Sequence, residues 1–405
     1  MKGSKLECVK CGGNFPLDLV NSRCQDCNEP LEVRYDLESV PRDWFKTPRK
    51  GPFFERYAPF YSYLKTNPAL SLGEGQTSLI RSNRIKGKIG IKELLFKNET
   101  QNPTWTFKDR GTAFSLQNAF SLGYRRIGTL SSGNMGASVA AFGSRAGMDT
   151  FILLKANVPR EKIDALAVYG VKAIRVSGNY GDVYNRTSEM GKLFDIYFTI
   201  SDEPMRVEGY KSLAFEVYEQ MDCKPPDYVA LPVGSGGLCR GVLKGFEELH
   251  EVGFIDRVPK FIGVQTQGCS PTVDAYERGK DRIEPFKDPL TLDHVLENPY
   301  PPSGNQVIRK IRSYGGILLK VSNQEILDAE LLLAEEGIFA QPASATALAG
   351  VIRCVDKGLI PRDARVVTVV TGSGLKYPPV LEKFGLSPIS TSLDGLAHTL
   401  ETLIK

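Results

Sequence analysis

The chain predicts an α/β fold of parallel sheets with helices on both faces, preceded by a small metal-stapled segment. Three observations carry this. From about residue 91, short apolar runs alternate with helical stretches of about 10–15 residues. Several of the apolar runs end in glycine-rich loops. Four of the eight cysteines lie in the first 27 residues as two C-x-x-C pairs.

A length of 405 residues implies two or three domains. The composition, 41% hydrophobic and 24% charged, is that of a globular chain with a sizeable core. Lys and Arg number 51 against 47 Asp and Glu, for a net charge of +4. That balance, without a run of five or six like charges, argues against a nucleic-acid partner. No stretch approaches the roughly 18 apolar residues of a membrane span, and the N-terminus lacks a signal-peptide core. A cytoplasmic address without a membrane partner is expected.

Residues 1–37 form a compositional island. Cys8 and Cys11 are separated from Cys24 and Cys27 by a 12-residue stretch. Two thiolate pairs at this spacing fit tetrahedral Zn²⁺ in a structural role, because four cysteines leave no open position; a redox dithiol pair is the alternative. The island is too short for a core of its own, so metal would be its staple. Cys223, Cys239, Cys269 and Cys354 are scattered and read as core or incidental thiols. Residues 38–90 hold an aromatic, proline-rich arm, expected to pack over a domain or a partner subunit, and the loop "SLGEGQTSL".

The body then reads in order. "ELLFKNE" is a strand and "DRGTAFSLQNAFSLG" a helix. "RRIGTLSS" runs from strand into loop, and "NMGASVAAFGSRAG" is a helix. "DTFILLK" is a strand, "REKIDALAVYG" a helix and "VKAIRVSG" a strand. The helix "YGDVYNRTSEMGKLF" leads to the strand "DIYFTIS". The helix "GYKSLAFEVYEQM" leads to the strand and glycine loop "DYVALPVGSGG". The helix "LCRGVLKGFEELHEVG" and the strand "PKFIGVQTQG" follow. Residues 389–405 end in a short amphipathic helix.

In open parallel sheets ligands bind at the carboxyl ends of strands. Three loops have that position. Gly234, Ser235, Gly236, Gly237 and Leu238 follow an apolar strand and open a helix, which makes an anion cradle of backbone amides. "TLSSGNMGAS" places Ser131, Ser132 and Asn134 before a helix, able to receive a carboxylate or simply to cap it. "VVTVVTGSGLKYP" ends a buried strand at Thr371. To these "NPTWTFKDRG" adds Lys108 behind aromatic residues. An amine able to form a Schiff base, a phosphate cradle, a carboxylate loop and a hydroxyl together are what pyridoxal phosphate requires.

The same motifs resemble those of the fold type II pyridoxal-phosphate enzymes, and among them the threonine synthase family. "SLGEGQTSLI" is similar to S-L-G-E-G-x-T-P-L. "NPTWTFKDRG" resembles N-P-T-G-S-F-K-D-R-G, with Trp105 in place of glycine. "SSGNMGASVAAFGSRAG", "RVEGYKS", "EEGIFAQPASATALAG" (with Gln341 for an acid) and "VVTGSGLKYP" resemble the remaining motifs. The zinc-ribbon-like start is also similar to that of many members. The resemblance implies two parallel-sheet domains of the tryptophan synthase β-like kind. Residues 91–118 and 207–388 would form the larger, pyridoxal-phosphate-binding domain, and 119–206 a smaller mobile one. It implies Lys108 as Schiff-base lysine and proton shuttle, and Asn134 at the cofactor's ring oxygen. Residues 234–238 would lie at its phosphate, Thr371 at its pyridine nitrogen, and Ser131 and Ser132 with Asn134 at the substrate carboxylate.

The implied activity is that of a carbon-oxygen lyase converting O-phospho-L-homoserine and water to L-threonine and phosphate, in a homodimer. Ser201 and Arg206 match the family's substrate-phosphate segment, with Lys211 a further candidate ligand. Met135, Ile200 and Glu203 depart from that pattern, and Glu203 would add a negative charge if it pointed inward. These departures leave an alternative: O-phospho-L-serine and sulfite, as used by cysteate synthase, or another phosphoamino-acid β-replacement or elimination on the same scaffold. Trp105 is expected to wall the cofactor or substrate pocket.

Overall fold

The computed structural model describes residues 4–17, 23–156, 158, 160–177, 180–292, 294–376 and 388–404. Residues 1–3 and 18–22 of the ribbon, 377–387 at the end of the expected larger domain, and 405 lie outside the described residues.

The N-terminal ribbon is an antiparallel sheet of β1 (Lys5–Cys8), β2 (Asn14–Phe15) and β3 (Leu31–Arg34), in the order β2-β1-β3. Leu6, Leu31 and Val33 are fully buried in the same cluster as the α/β body. The ribbon is therefore docked, not tethered. In the arm, α1 (Phe53–Arg56) and single helical turns lay aromatic rings on the chain's own body. Phe60 lies 4.4 Å from Phe215 and Tyr61 lies 4.8 Å from Phe114, centroid to centroid. Such tilted ring pairs are favourable and bury large areas.

The first body strand, β4 (Leu79–Arg81), comes from the stretch read above as arm and loop. It is followed by α2 (Ile85–Ile89) and β5 (Glu93–Asn98). Helix α3 (Lys108–Ser121) then crosses to a second sheet, made of β6 (Arg126–Leu130), α4 (Asn134–Arg145), β7 (Asp149–Lys155), α5 (Arg160–Ala167), β8 (Lys172–Val176), α6 (Tyr180–Phe194) and β9 (Tyr197–Phe198). Its strands are all parallel, in the order β8-β7-β6-β9. Helix α7 (Pro204–Gln220) returns to the first sheet. There follow β10 (Tyr228–Pro232), α8 (Gly237–Val252), β11 (Lys260–Thr266), α9 (Pro271–Glu277), α10 (Gly304–Ser313), β12 (Ile317–Val321), α11 (Asn323–Glu335), α12 (Pro342–Asp356), β13 (Arg365–Val370) and the terminal α13 (Leu396–Ile404).

The larger sheet has the order β12-β11-β10-β13-β5-β4, with only β4 antiparallel. Its central strands are apolar along their length because helices cover both faces: all five residues of β10 and the last five of β13 are buried. Val370 pairs with Asn98 and Ala230 with Thr368. The carboxyl ends of β5, β13 and β10 therefore stop side by side. Among the described residues no helix is long and apolar enough to cross a membrane.

Candidate active site

Those three neighbouring strand ends carry the Lys108 loop, Thr371 and the glycine loop. The second sheet adds Ser131 and Ser132 after β6 and Ser201 after β9. Two contacts join the sheets here. Asn134 donates through Nδ2 to Gln341 Oε1 at 3.1 Å, and Arg206 donates through Nη2 to the Lys108 carbonyl at 3.4 Å.

The sequence KDRG is explained residue by residue. Asp109 is fully buried and accepts from the Thr104 amide and hydroxyl, each at 2.6 Å, which folds the loop before α3. Arg110 points beneath the site. Its guanidinium donates to Glu99 at 2.6 and 2.8 Å and to Glu216 at 2.8 and 2.7 Å. A Cβ on Gly111 would meet the Tyr210 ring at 2.7 Å, so only glycine allows α7 this close. On the other side the Phe107 amide donates to the Thr371 carbonyl at 3.0 Å.

Lys108 is the residue these contacts leave over. Its Nζ makes no hydrogen bond among the described residues and lies 4.6 Å from the Phe107 ring centroid. The side chain as a whole is only partly covered. Its amine is nonetheless enclosed, and burial, reinforced by the Arg206 charge, lowers its pKa from 10.5 to about 7. The neutral amine is the nucleophile, and its fraction grows as pH rises through that value. The rate at which the apoprotein takes up an aldehyde such as pyridoxal phosphate is therefore expected to rise to a plateau with a midpoint near pH 7. An ordinary lysine would still be climbing at pH 10. Stopped-flow absorbance across pH 5.5 to 9.5 checks this.

Trp105 stands in the loop three residues before Lys108. It is 53% exposed and its backbone sits at φ 60°. That left-handed conformation explains why the similar motifs carry glycine here, since a side chain costs about 1–2 kcal/mol in this region. The strain is held in place by hydrogen bonds from its amide to Asn102 at 2.7 Å and to its carbonyl from Ser373 at 3.0 Å. Relief of it exceeds glycine's chain-entropy cost of about 0.4–1 kcal/mol. Trp105→Gly is thus expected to stabilise the protein by somewhat under about 1 kcal/mol in urea unfolding.

The glycine loop leaves its backbone amides open at a helix start. Gly236 has φ 89°, and a Cβ there would meet Ser303 at 2.9 Å. The amides of Ser235, Gly236, Gly237 and Leu238 find no acceptor among the described residues, as at any helix start. Thr371 is 3% exposed, with its hydroxyl 3.0 Å from Ser344 Oγ, which also meets the Gly372 amide at 2.9 Å. A lone reactive amine, free amides at a helix N-terminus and a buried hydroxyl pair are together a fit for pyridoxal phosphate.

On the substrate side the capping alternative does not hold. The N-cap of α4 is Gly133 without a side-chain bond, and the Asn134 side chain goes to Gln341 instead. Ser131 Oγ accepts from the Gly133 amide at 3.3 Å, Ser132 is partly exposed, and Ser201 Oγ reaches Met135 Sδ at 4.0 Å. Arg206 is fully buried, and its guanidinium donates to the hydroxyls of Tyr210, Thr112 and Thr199 at 2.8 to 3.2 Å. It forms no carboxylate ion pair among the described residues, and its N–H groups are taken by these hydroxyls and the Lys108 carbonyl.

Lys211 is not brought to the cleft. Its ammonium is buried between Glu208 at 2.6 Å and Glu248 at 3.0 Å, with the Phe60 carbonyl at 2.7 Å. Glu203 does not point inward either. Its carboxylate accepts from Ser115 at 2.8 Å and from the Tyr197 hydroxyl, and burial raises its pKa. Sequence reasoning missed Ser344, Thr112, Thr199 and Tyr210. Only Ser344 gave a signal, as the first of two hydroxyls, with Thr346, among the alanines that open α12.

In the N-terminal ribbon, Cys8, Cys11, Cys24 and Cys27 bring their sulfurs within 4.8 Å of one another. Sγ separations of 3.4, 3.7 and 3.8 Å match the edge of about 3.8 Å for a tetrahedron with metal–sulfur bonds of about 2.3 Å. The four thiols could hold a metal ion.

Comparison with known proteins agrees. The family model described as "Pyridoxal-phosphate dependent enzyme" matches residues 70–372. A threonine synthase of Methanocaldococcus jannaschii is 36% identical over 404 residues, covering 98% of each chain. One of Methanosarcina acetivorans is 36% identical over 375 residues, covering 92% of each. The solved structure of a processed threonine deaminase isoform from Solanum lycopersicum aligns at 20% identity with a TM-score of 0.66, over 84% of this chain and 96% of that one. Maize serine racemase aligns at 18% identity with a TM-score of 0.65, over 82% and 95%. These two speak to the fold alone. With a matching family model over most of its length and near-full-length relatives above 30% identity, the chain belongs to the pyridoxal-phosphate dependent enzymes, on their threonine synthase branch.

Proposed function

We propose that the protein is a threonine synthase, converting O-phospho-L-homoserine and water to L-threonine and phosphate. The observation that carries this reading is a buried arginine, Arg206, that has no carboxylate ion pair among the described residues and lies beside a lysine amine whose pKa is about 7. An anionic substrate group can take up the first while the second moves protons at neutral pH. The relatives at 32–36% identity bear the name threonine synthase, which favours phosphohomoserine over the phosphoserine and sulfite alternative.

Pyridoxal phosphate would be held by Lys108 at its aldehyde, residues 234–238 at its phosphate, Asn134 at its ring oxygen and Thr371, backed by Ser344, at its ring nitrogen. When bound it supplies an electron sink that lets protons leave neighbouring substrate carbons. Ser131, Ser132 and the free amides opening α4 orient the substrate carboxylate. Arg206, with Ser201, holds the substrate phosphate until it leaves the gamma carbon. Lys108 carries protons from the alpha and beta carbons. Closure of residues 119–206 over the larger domain, 91–118 and 207–388, would exclude water until it adds at the beta carbon. The proposed assembly is a cytoplasmic homodimer carrying one structural Zn²⁺ per chain. The exposed Leu396, Leu400 and Leu403 of α13 support a further contact surface.

The test is a paired assay of the purified protein. Threonine and phosphate are expected from O-phosphohomoserine, and no cysteate from O-phosphoserine with sulfite. The reverse pattern overturns the assignment.

A further inference from the structure

The reaction leaves the four-cysteine ribbon without a task, yet its charged residues reach into the walls of the phosphate cradle. Glu32, buried on β3, faces Arg240 in the first turn of α8, with Oε1 3.3 Å from Nε. The Leu31 carbonyl accepts from Nη2 of the same guanidinium at 2.9 Å. Leu31 is the direct strand partner of Cys8, so this grip is one strand spacing from a thiol of the cluster. Arg240 Nη1 donates to Ser303 Oγ at 3.1 Å, and the Ser303 amide donates to the Ser235 carbonyl at 3.1 Å. Ser303 is also the residue that would block any side chain at Gly236.

A second arm of the ribbon reaches the other side of the cradle. Arg23, adjacent to Cys24, pairs with buried Asp202 at 2.7 Å and donates to the Pro302 carbonyl at 2.8 Å. Asp202 follows Ser201, whose carbonyl lies 2.8 Å from where a Cβ on Gly237 would sit. The ribbon thus grips the cradle from both sides. It has few apolar residues of its own, and a metal would supply much of the free energy that orders it. Without that order, Arg240 would be a buried guanidinium lacking its carboxylate, and the first turn of α8 would have to rearrange.

We propose that the metal-loaded ribbon is a clamp that keeps the cradle in its phosphate-binding shape, so that the metal governs how tightly pyridoxal phosphate is retained. Arg23 and Glu32 are positioning residues in this scheme. The inference rests on the cradle reading given under Proposed function.

The holoenzyme is stripped of metal with a chelator and a mercurial thiol reagent. Pyridoxal phosphate retention is then measured by ultrafiltration and the fold by far-ultraviolet circular dichroism. The dissociation constant is expected to rise about tenfold or more, the worth of a charge-assisted hydrogen bond, with helix content kept and affinity restored by added Zn²⁺. Should stripping unfold the body, metal-loaded Arg23→Gln and Glu32→Gln decide. Each is expected to weaken pyridoxal phosphate binding at least threefold while kcat at saturating cofactor is unchanged, a split that general structural damage would not give. An unchanged affinity in the folded, metal-free protein, or in both variants, overturns the clamp. A native protein that takes up no pyridoxal phosphate at all overturns the cradle reading and the clamp together.

Discussion

Replacing Lys108 by alanine is expected to lower turnover of O-phosphohomoserine by about 10⁴-fold or more, the upper range for losing a group that moves protons in the transition state. Stability should not fall. The amine has no hydrogen-bond partner to orphan, and its pKa of about 7 shows that the fold penalises its charge. Between pH 7 and 10.5 the unfolded chain binds a proton at this position that the folded one does not, so wild-type apoprotein stability gains from rising pH across that window. The alanine variant loses this dependence and is expected to be at least as stable as the wild type at pH 7. Kinetics of phosphate release together with urea unfolding at two pH values measure both halves. Turnover within tenfold of wild type would remove Lys108 from the mechanism.

Replacing Arg110 by methionine should do the opposite, lowering stability by about 3–5 kcal/mol through breakage of a buried charge network. Lys97 shares that network, with Nζ 2.8 Å from Glu216 and 2.6 Å from the Thr77 carbonyl. The Arg110 guanidinium holds the Glu99 and Glu216 carboxyls below their ordinary range despite full burial. Without it Lys97 faces two buried carboxylates alone, and at least one must take up a proton or unfold the loop. The loss should therefore shrink as pH falls toward the carboxylate range, where protonation relieves the orphaned acids. Adding Glu99→Gln should recover part of it at neutral pH. Thermal unfolding of the single and double variants from pH 5 to 8 tests the cycle, and a loss that is constant with pH would contradict it. Because Arg110 lies two residues from Lys108, the same variant is also expected to lower turnover.

Much of this protein was legible in its sequence. The alternation of apolar runs and helical stretches marked the parallel sheets, because strands buried on both faces must be apolar throughout, as β10 and β13 are. Glycine loops after those strands pointed to an anion cradle, because backbone amides at a helix start are left free to meet one. The paired cysteines marked a group that could hold a metal ion, because the two pairs bring their sulfurs within 4.8 Å of one another.

What stayed hidden depended on direction, which composition does not encode. The aromatic arm could have covered a partner, and the tertiary structure folds it onto Phe114 and Phe215. Trp105 gave no sign in the sequence of its left-handed backbone, nor that the residue would be more than half exposed. Arg206 and Lys211 show the limit most plainly. Both are fully buried cations on α7, and both were plausible phosphate ligands. Five residues turn an α-helix by about 140° beyond a full circle. One cation therefore meets Lys108 and the cleft, and the other meets Glu208 and Glu248 beneath the arm. The sequence determined that two charges would be buried there. Only the packing around the helix decided which one met carboxylates and which met hydroxyls beside Lys108.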